Sequence, residues 1–111
     1  MKINQYDIWL ADLNPSRGTE PGKTRPVVVI QTDLLNNMHL STIVCPISTN
    51  VLPEVDILRV HLNVKQLDKL SDVLVDQIRA IDNKRLVRKV GELTKVQREK
   101  LKDTLRVVLD L

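Results

Sequence analysis

Arg25-Pro26-Val27-Val28-Val29-Ile30 is the stretch that most narrows what this chain can become. Val27 to Ile30 offer no polar face, so they read as a strand buried on both sides, and their β-branched side chains suit a pleated backbone. Pro26 lacks an N–H and fits the first position of a strand, where a missing donor costs least. Such a strand needs neighbours at both edges and apolar cover above and below. Arg25 is left unexplained, because neither a turn nor a core requires a guanidinium where a loop becomes a buried strand.

The rest of the chain supplies the neighbours. DIWLADL, residues 7–13, reads as a first strand that Asn14, Pro15 and Gly18 break. Residues 15–24 then form a loop long for a hairpin. TDLLNN is a turn or short helical piece, and STIVCPIST, residues 41–49, is a third strand in which Pro46 signals an edge or irregular end. ILRVHLNV, residues 57–64, alternates, with Arg59, His61 and Asn63 on one face and Leu58, Val60, Leu62 and Val64 on the other. VKQLDKL is a turn or short helix, SDVLVDQIRAID (71–82) a long strand, and LVRKVGEL a short strand after a turn at Asn83. The final segment reads as a helix, with Thr94 as N-cap, Gln97 as its capping-box partner, and Val96, Leu101, Leu105 and Val108 near one face. No repeat or linker is visible. The expectation is a single domain over residues 1–111, α+β but mainly β, with antiparallel strands closed or nearly closed and a C-terminal helix packed outside.

Length and composition bound the function. A chain of 111 residues suffices for one hydrophobic core and not two, and 42% apolar with 28% charged residues is ordinary for a globular domain. Tyr6 and Trp9 are the only aromatics, which argues against a base-stacking platform. Cys45 is alone, so no internal disulfide forms and a reducing cytoplasm suits the chain. The opening MKINQYDIWLAD has no long apolar run and no segment approaches membrane-spanning length, so a cytoplasmic protein without membrane partners is expected. The net charge of +3 is uneven: residues 1–78 hold seven Lys or Arg against nine Asp or Glu, and 79–111 hold ten against five. A basic tail of this kind meets nucleic acid or forms a solvated helix face.

His39 and His61 are the only imidazoles and stand far apart, and Cys45 has no thiol companion, so no metal and no cofactor is expected. His61 reads as a surface residue, and an acid–base pair with His39 needs a convergence for which the sequence gives no warrant. GTEPGK lacks phosphate-loop spacing. Arg25 is different: a guanidinium at a rim can give several hydrogen bonds to phosphate oxygens. The preceding loop carries Arg17, Glu20 and Lys23, and the third strand ends in Ser48 and Thr49, whose hydroxyls can approach the same rim. Arg25, Ser48 and Glu20 together would make a metal-free phosphodiester site; solvent-facing loop charges and an ordinary strand terminus are the alternative.

At these residues the chain resembles the MazF/PemK family of toxin endoribonucleases, the mRNA interferases of toxin–antitoxin pairs. The resemblance runs from DIWLADLNPSRGTE through KTRPVVVIQTDLLNN, STIVCPIST and SDVLVDQIRAID to KVGELTKVQREKLKDTL, with G-[ST]-E, R-P-V-x-V, P-[IL]-[ST] and D-Q-I-R in this order. It implies a small SH3-like (CcdB/PemK-like) antiparallel barrel with a C-terminal helix, built as a homodimer. The family's essential arginine falls on Arg25, its threonine on Ser48 and its loop glutamate on Glu20. Ser48 departs from the commoner Thr, and Thr49 takes the role if the strand end is bulged. Arg17, Lys23, Thr49, Asn50, Gln77 and Arg79 are the expected RNA-binding residues. The implied reaction is attack of a ribose 2′-OH on the adjacent phosphorus of single-stranded RNA, leaving a cyclic or 3′-phosphate and a 5′-OH. Implied partners are RNA and an antitoxin with an acidic disordered tail, promoter DNA being reached only through the antitoxin. A CcdB-like toxin that cuts no nucleic acid, or a module keeping only the antitoxin surface, are the rival readings.

Overall fold

The computed structural model describes residues 1–14, 18–19 and 23–111. Among these, strands β1 (Asp7–Asp12), β2 (Thr24–Val29), β3 (Ser41–Ser48), β4 (Arg59–Leu62), β5 (Ser71–Leu74), β6 (Arg79–Asp82) and β7 (Leu86–Glu92) are joined by a short helix α1 (Val64–Leu67), a 3-10 turn (Asn83–Arg85) and a closing helix α2 (Lys95–Leu109). They form one sheet in the order β4-β5-β3-β2-β1-β7, with β6 also paired to β3. No helix is long and apolar enough to cross a membrane among the described residues.

β2 takes the central position that its valines demand, between β1 and β3, and Val27, Val28 and Val29 are fully buried. Alternate side chains feed two separate apolar clusters. Val28 joins Ile8, Cys45, Ile47, Val73 and Leu101 of α2, whereas Val27 and Val29 join Trp9, Ala11, Val44, Ile81 and Leu86. The expectation of one core is therefore corrected: a run with no polar side needs cover on both faces of its sheet, and the apolar interior divides in two.

The long strand expected over residues 71–82 is two strands. β3 has β2 on one edge and, on the other, β6 opposite Ser41–Val44 and β5 opposite Ile47–Ser48. Residues 75–78 form the intervening turn, and the two ladders leave Cys45 and Pro46 without a partner on this edge. Ile43 directs its carbonyl and N–H toward the β2 side, to the backbone of Ile30 and Gln31 and to the Gln31 side chain. Three positions on, Pro46 turns its backbone to the other edge and has no N–H to give there. The break in the neighbour sits where that donor is missing. Pro46 thus lies in an interior strand and marks an irregularity beside it, not the sheet edge its presence suggested.

The sheet does not close into a barrel, which corrects the closed form expected: β4 and β7 end it without pairing to each other. Two glutamines bridge the seam. Gln66 of α1 and Gln97 of α2 exchange amide hydrogen bonds of 2.7 and 2.8 Å. Gln66 Nε2 also donates to the Glu92 carbonyl at the end of β7 (3.1 Å), and Gln97 Nε2 to the His61 carbonyl in β4 (3.4 Å). Gln97 additionally completes the capping box: its Oε1 accepts from Thr94 N (2.9 Å) while Thr94 Oγ1 accepts from Gln97 N (3.3 Å). Leu101 is fully buried and Leu105 and Val108 lean on the same cluster, but Val96 is 75% exposed. Five residues from Leu101, it is turned about 140° around the helix, off the buried stripe.

Candidate active site

The β2–β3 ladder ends at the pair Val27–Pro46. Two residues further on, Arg25 of β2 and Ser48 of β3 occupy matching positions where the strands are no longer ladder partners. Ala11 of β1 lies opposite Arg25, Asp72 of β5 opposite Ser48, and His61 of β4 opposite Asp72. One transverse row thus crosses five strands. Residues in such a row point to the same face. That face is the one carrying Trp9, Ala11, Val27 and Val44, not the one covered by α2. The apolar cluster stops at Ala11 and Val27, and the polar row begins there.

Each member is held by its strand. Arg25 is half-buried at the start of β2. Ser48 is the last residue of β3, and its Oγ accepts a hydrogen bond from Asn50 N (3.0 Å), a side-chain turn that terminates the strand. Accepting there leaves the hydroxyl proton for donation to another group. Thr49 is exposed and follows the strand, with its carbonyl accepting from Val51 N (3.0 Å).

Asp72 is wholly buried and organises the far end of the row. Its Oδ2 accepts from Leu52 N and from Arg59 Nη1, each at 3.0 Å, and its Oδ1 pairs with His61 Nδ1 at 2.6 Å. Arg59 Nη1 also donates to the Asn50 carbonyl (2.7 Å), and His61 Nε2 meets Asp56 Oδ1 (3.2 Å). Burial pushes the Asp72 carboxyl up, but hydrogen bonds from Leu52, His61 and Arg59 outweigh it and hold the group below the ordinary carboxylate range. The bond to Asp72 raises the His61 pKa against desolvation, and Asp56 adds to the rise. His61 is therefore a bridge between two carboxylates, not the plain surface residue expected. The alternation in residues 57–64 already put Arg59 and His61 on one face; nothing local in the sequence could show that Asp72 stands beside them.

The remaining candidates lie around this row. Lys23 is exposed just before β2, in a left-handed conformation (φ 64°), with its N–H bonded to Asn14 Oδ1 at 2.5 Å. Asn50 is exposed beside Ser48. Arg79 is half-buried opposite Val44, on the face of Ser48 but four residues along β3, and Gln77 lies in the turn between β5 and β6. Arg17 and Glu20 lie outside the described residues. His39 precedes β3 whereas His61 stands beside its other end, so the eight-residue strand separates them and they make no acid–base pair. Cys45 is buried, its thiol pKa pushed up to about 12 by desolvation. Among the described residues no group of three or more His, Cys, Asp or Glu is arranged to hold a metal ion. A pocket of 440 Å³ lined by Leu10, Pro26, Gln66, Leu67 and Arg88 opens on the opposite face, away from the row.

Residues 4–109 match the family described as PemK-like, MazF-like toxin of type II toxin-antitoxin system. The endoribonuclease MazF of Staphylococcus epidermidis is 36% identical over 111 residues, covering 98% of this chain and 92% of that protein. The crystal structure of MazF from Deinococcus radiodurans superposes with a TM-score of 0.86 at 19% identity, covering 100% of this chain and 99% of that one. A mycobacterial endoribonuclease in complex with its cognate antitoxin gives a TM-score of 0.78 at 15% identity over 99% and 95% of the two chains. At those identities the two structures speak for the fold alone.

Proposed function

The chain belongs to the PemK-like, MazF-like toxin family of type II toxin–antitoxin systems and is a sequence-specific, ribosome-independent endoribonuclease, and we propose that it cuts single-stranded RNA at the rim where Arg25 and Ser48 meet. The observation that carries this assignment is their matching position beyond the last β2–β3 pair, on one face of the sheet. A phosphodiester set between them has a guanidinium on one side and a hydroxyl donor on the other.

The reaction is attack of the ribose 2′-OH on the adjacent phosphorus, with departure of the 5′-oxygen, and it proceeds without a metal. DNA lacks the nucleophile. Negative charge grows on the phosphoryl oxygens in the transition state, and Arg25 stabilises that charge more than it does the ground state. Ser48 orients the phosphate or the 2′-OH by hydrogen bond, and Glu20 restrains Arg25 or takes a proton. Arg79 on the same face, with Lys23, Gln77, Thr49, Asn50 and Arg17, binds the RNA strand.

The partner is an antitoxin whose acidic, disordered tail folds across the face that carries Arg25 and excludes RNA, promoter DNA being bound through the antitoxin. The toxin works as a homodimer in the cytoplasm. Exposed apolar residues support pairing: Leu34, Met38 and Leu40 before β3, Ile43 within it, and Val107, Leu109 and Leu111 near the C-terminus.

The deciding experiment incubates the purified protein with EDTA and a long defined RNA and maps the new 5′ ends. Cuts at one recurring sequence with 5′-OH ends are expected. Intact RNA with a folded protein would return the chain to a non-catalytic binding module.

A further inference from the structure

Asp72 lies one strand from Ser48, and the cleavage scheme makes no use of it. A wholly buried carboxylate carries a desolvation penalty that a valine in the same place would avoid, so the charge needs a reason. Its Oδ2 supplies one. Leu52 N and Arg59 Nη1 both bind it, and the same Arg59 nitrogen holds the carbonyl of Asn50. The N–H of Asn50 is the donor that Ser48 Oγ accepts. A continuous chain thus runs from Asp72 through Arg59 and Asn50 to the Ser48 hydroxyl.

We propose that Asp72 is a positioning residue for RNA cleavage, fixing residues 49–52 so that Asn50 holds the Ser48 hydroxyl in its working orientation. The proposal rests on the endoribonuclease reading above. Its logic lies in the serine. A threonine carries a methyl that restricts χ1, whereas a serine rotates among three wells and depends on an outside restraint. In this chain that restraint is the Asn50 N–H, which is only as fixed as the loop that carries it.

The test measures kcat and KM on a defined RNA together with amide hydrogen exchange at Asn50 and Leu52. Asp72→Ala should lower kcat about tenfold or more, change KM far less and speed exchange at both amides. Asp72→Asn keeps an oxygen for Leu52 and Arg59 and should stay within a few-fold of wild type. Ser48→Thr added to Asp72→Ala should restore most of the lost kcat, because the methyl replaces the missing restraint. A general structural role would give no such rescue. Should Asp72→Ala fail to fold, Arg59→Ala removes the tie to Asn50 from a side chain that is 17% exposed, and the same rescue is expected. A folded Asp72→Ala protein with wild-type kcat, or a loss that Ser48→Thr does not restore, overturns the proposal. A wild-type protein that leaves RNA intact overturns the nuclease reading, whereas unchanged exchange at Asn50 and Leu52 in Asp72→Ala overturns only the role of Asp72.

Discussion

Arg25 and Ser48 occupy matching positions on β2 and β3, two residues beyond the Val27–Pro46 pair, with side chains on the same face of the sheet. If the phosphate sits between them, the guanidinium is the main source of charge stabilisation. Arg25→Ala is expected to abolish RNA cleavage while circular dichroism shows the fold retained, and Arg25→Lys should recover little because an ammonium lacks the planar fork. Wild-type cleavage by folded Arg25→Ala would remove Arg25 from the mechanism.

Ser48 ends β3 whereas Thr49 lies beyond it. Ser48→Ala should therefore cripple turnover, Ser48→Thr should preserve or raise it, and Thr49→Ala should change it little. Single-turnover kinetics on a short RNA distinguish the three. Normal cleavage by Ser48→Ala beside a dead Thr49→Ala would shift the essential hydroxyl by one residue.

The Gln66–Gln97 pair replaces strand pairing between the open ends of the sheet. Thr94→Ala removes one half of the helix cap and should cost about 1 kcal/mol. Gln97→Ala removes cap and seam together and should cost more, with a coupling to Gln66→Ala of about 0.5 kcal/mol or greater in a double-mutant cycle. Urea titrations supply all four values, and strict additivity would show that the seam carries no shared energy.

His61 bonds to Asp72 and Asp56 at once, and only the imidazolium donates from both ring nitrogens. Its pKa is raised in the fold, so its contribution to stability is complete below the unfolded value of about 6.5 and disappears as pH rises through the higher folded value. Asp72 has the opposite sign: its depressed pKa gives stability that persists above about 3.9 and is lost as pH falls through the folded value. Urea midpoints should drift down as pH rises from about 6.5 through the higher folded value, and His61→Gln should flatten that drift. An identical slope in the variant would assign the pH dependence elsewhere.

Leu34, Met38 and Leu40 are each more than four-fifths exposed. Light scattering at micromolar concentration should report about twice the chain mass, and Leu40→Asp or Met38→Asp should lower it. An acidic antitoxin peptide should displace an uncleavable RNA in fluorescence anisotropy. Simultaneous binding of both would move the regulatory surface away from Arg25.

Several features were legible in the sequence because the physics that makes them is local. The apolar run after Pro26 is a doubly buried strand over Val27–Val29, with Ile30 just past its end; the alternation, present in β4 over residues 59–62 and not the whole of 57–64, needed only the two-residue pleat; and the Thr94–Gln97 cap is a contact three residues long. The hydroxyl and guanidinium were recognisable as motif residues, but their matching positions are a matter of register between strands that start 17 residues apart. The split of residues 71–82 depended on what β3 offered along its far edge, where Pro46 has no donor. The open seam depended on strand order, which leaves β4 and β7 at opposite ends of the sheet, unpaired with each other, and brings two glutamines from different helices between them. Asp72 reads as one more charge in a polar stretch until β4 and β5 pair. Only that pairing buries its carboxylate beside Arg59 and His61, because periodicity records which face a side chain takes and says nothing of what another strand will set against it.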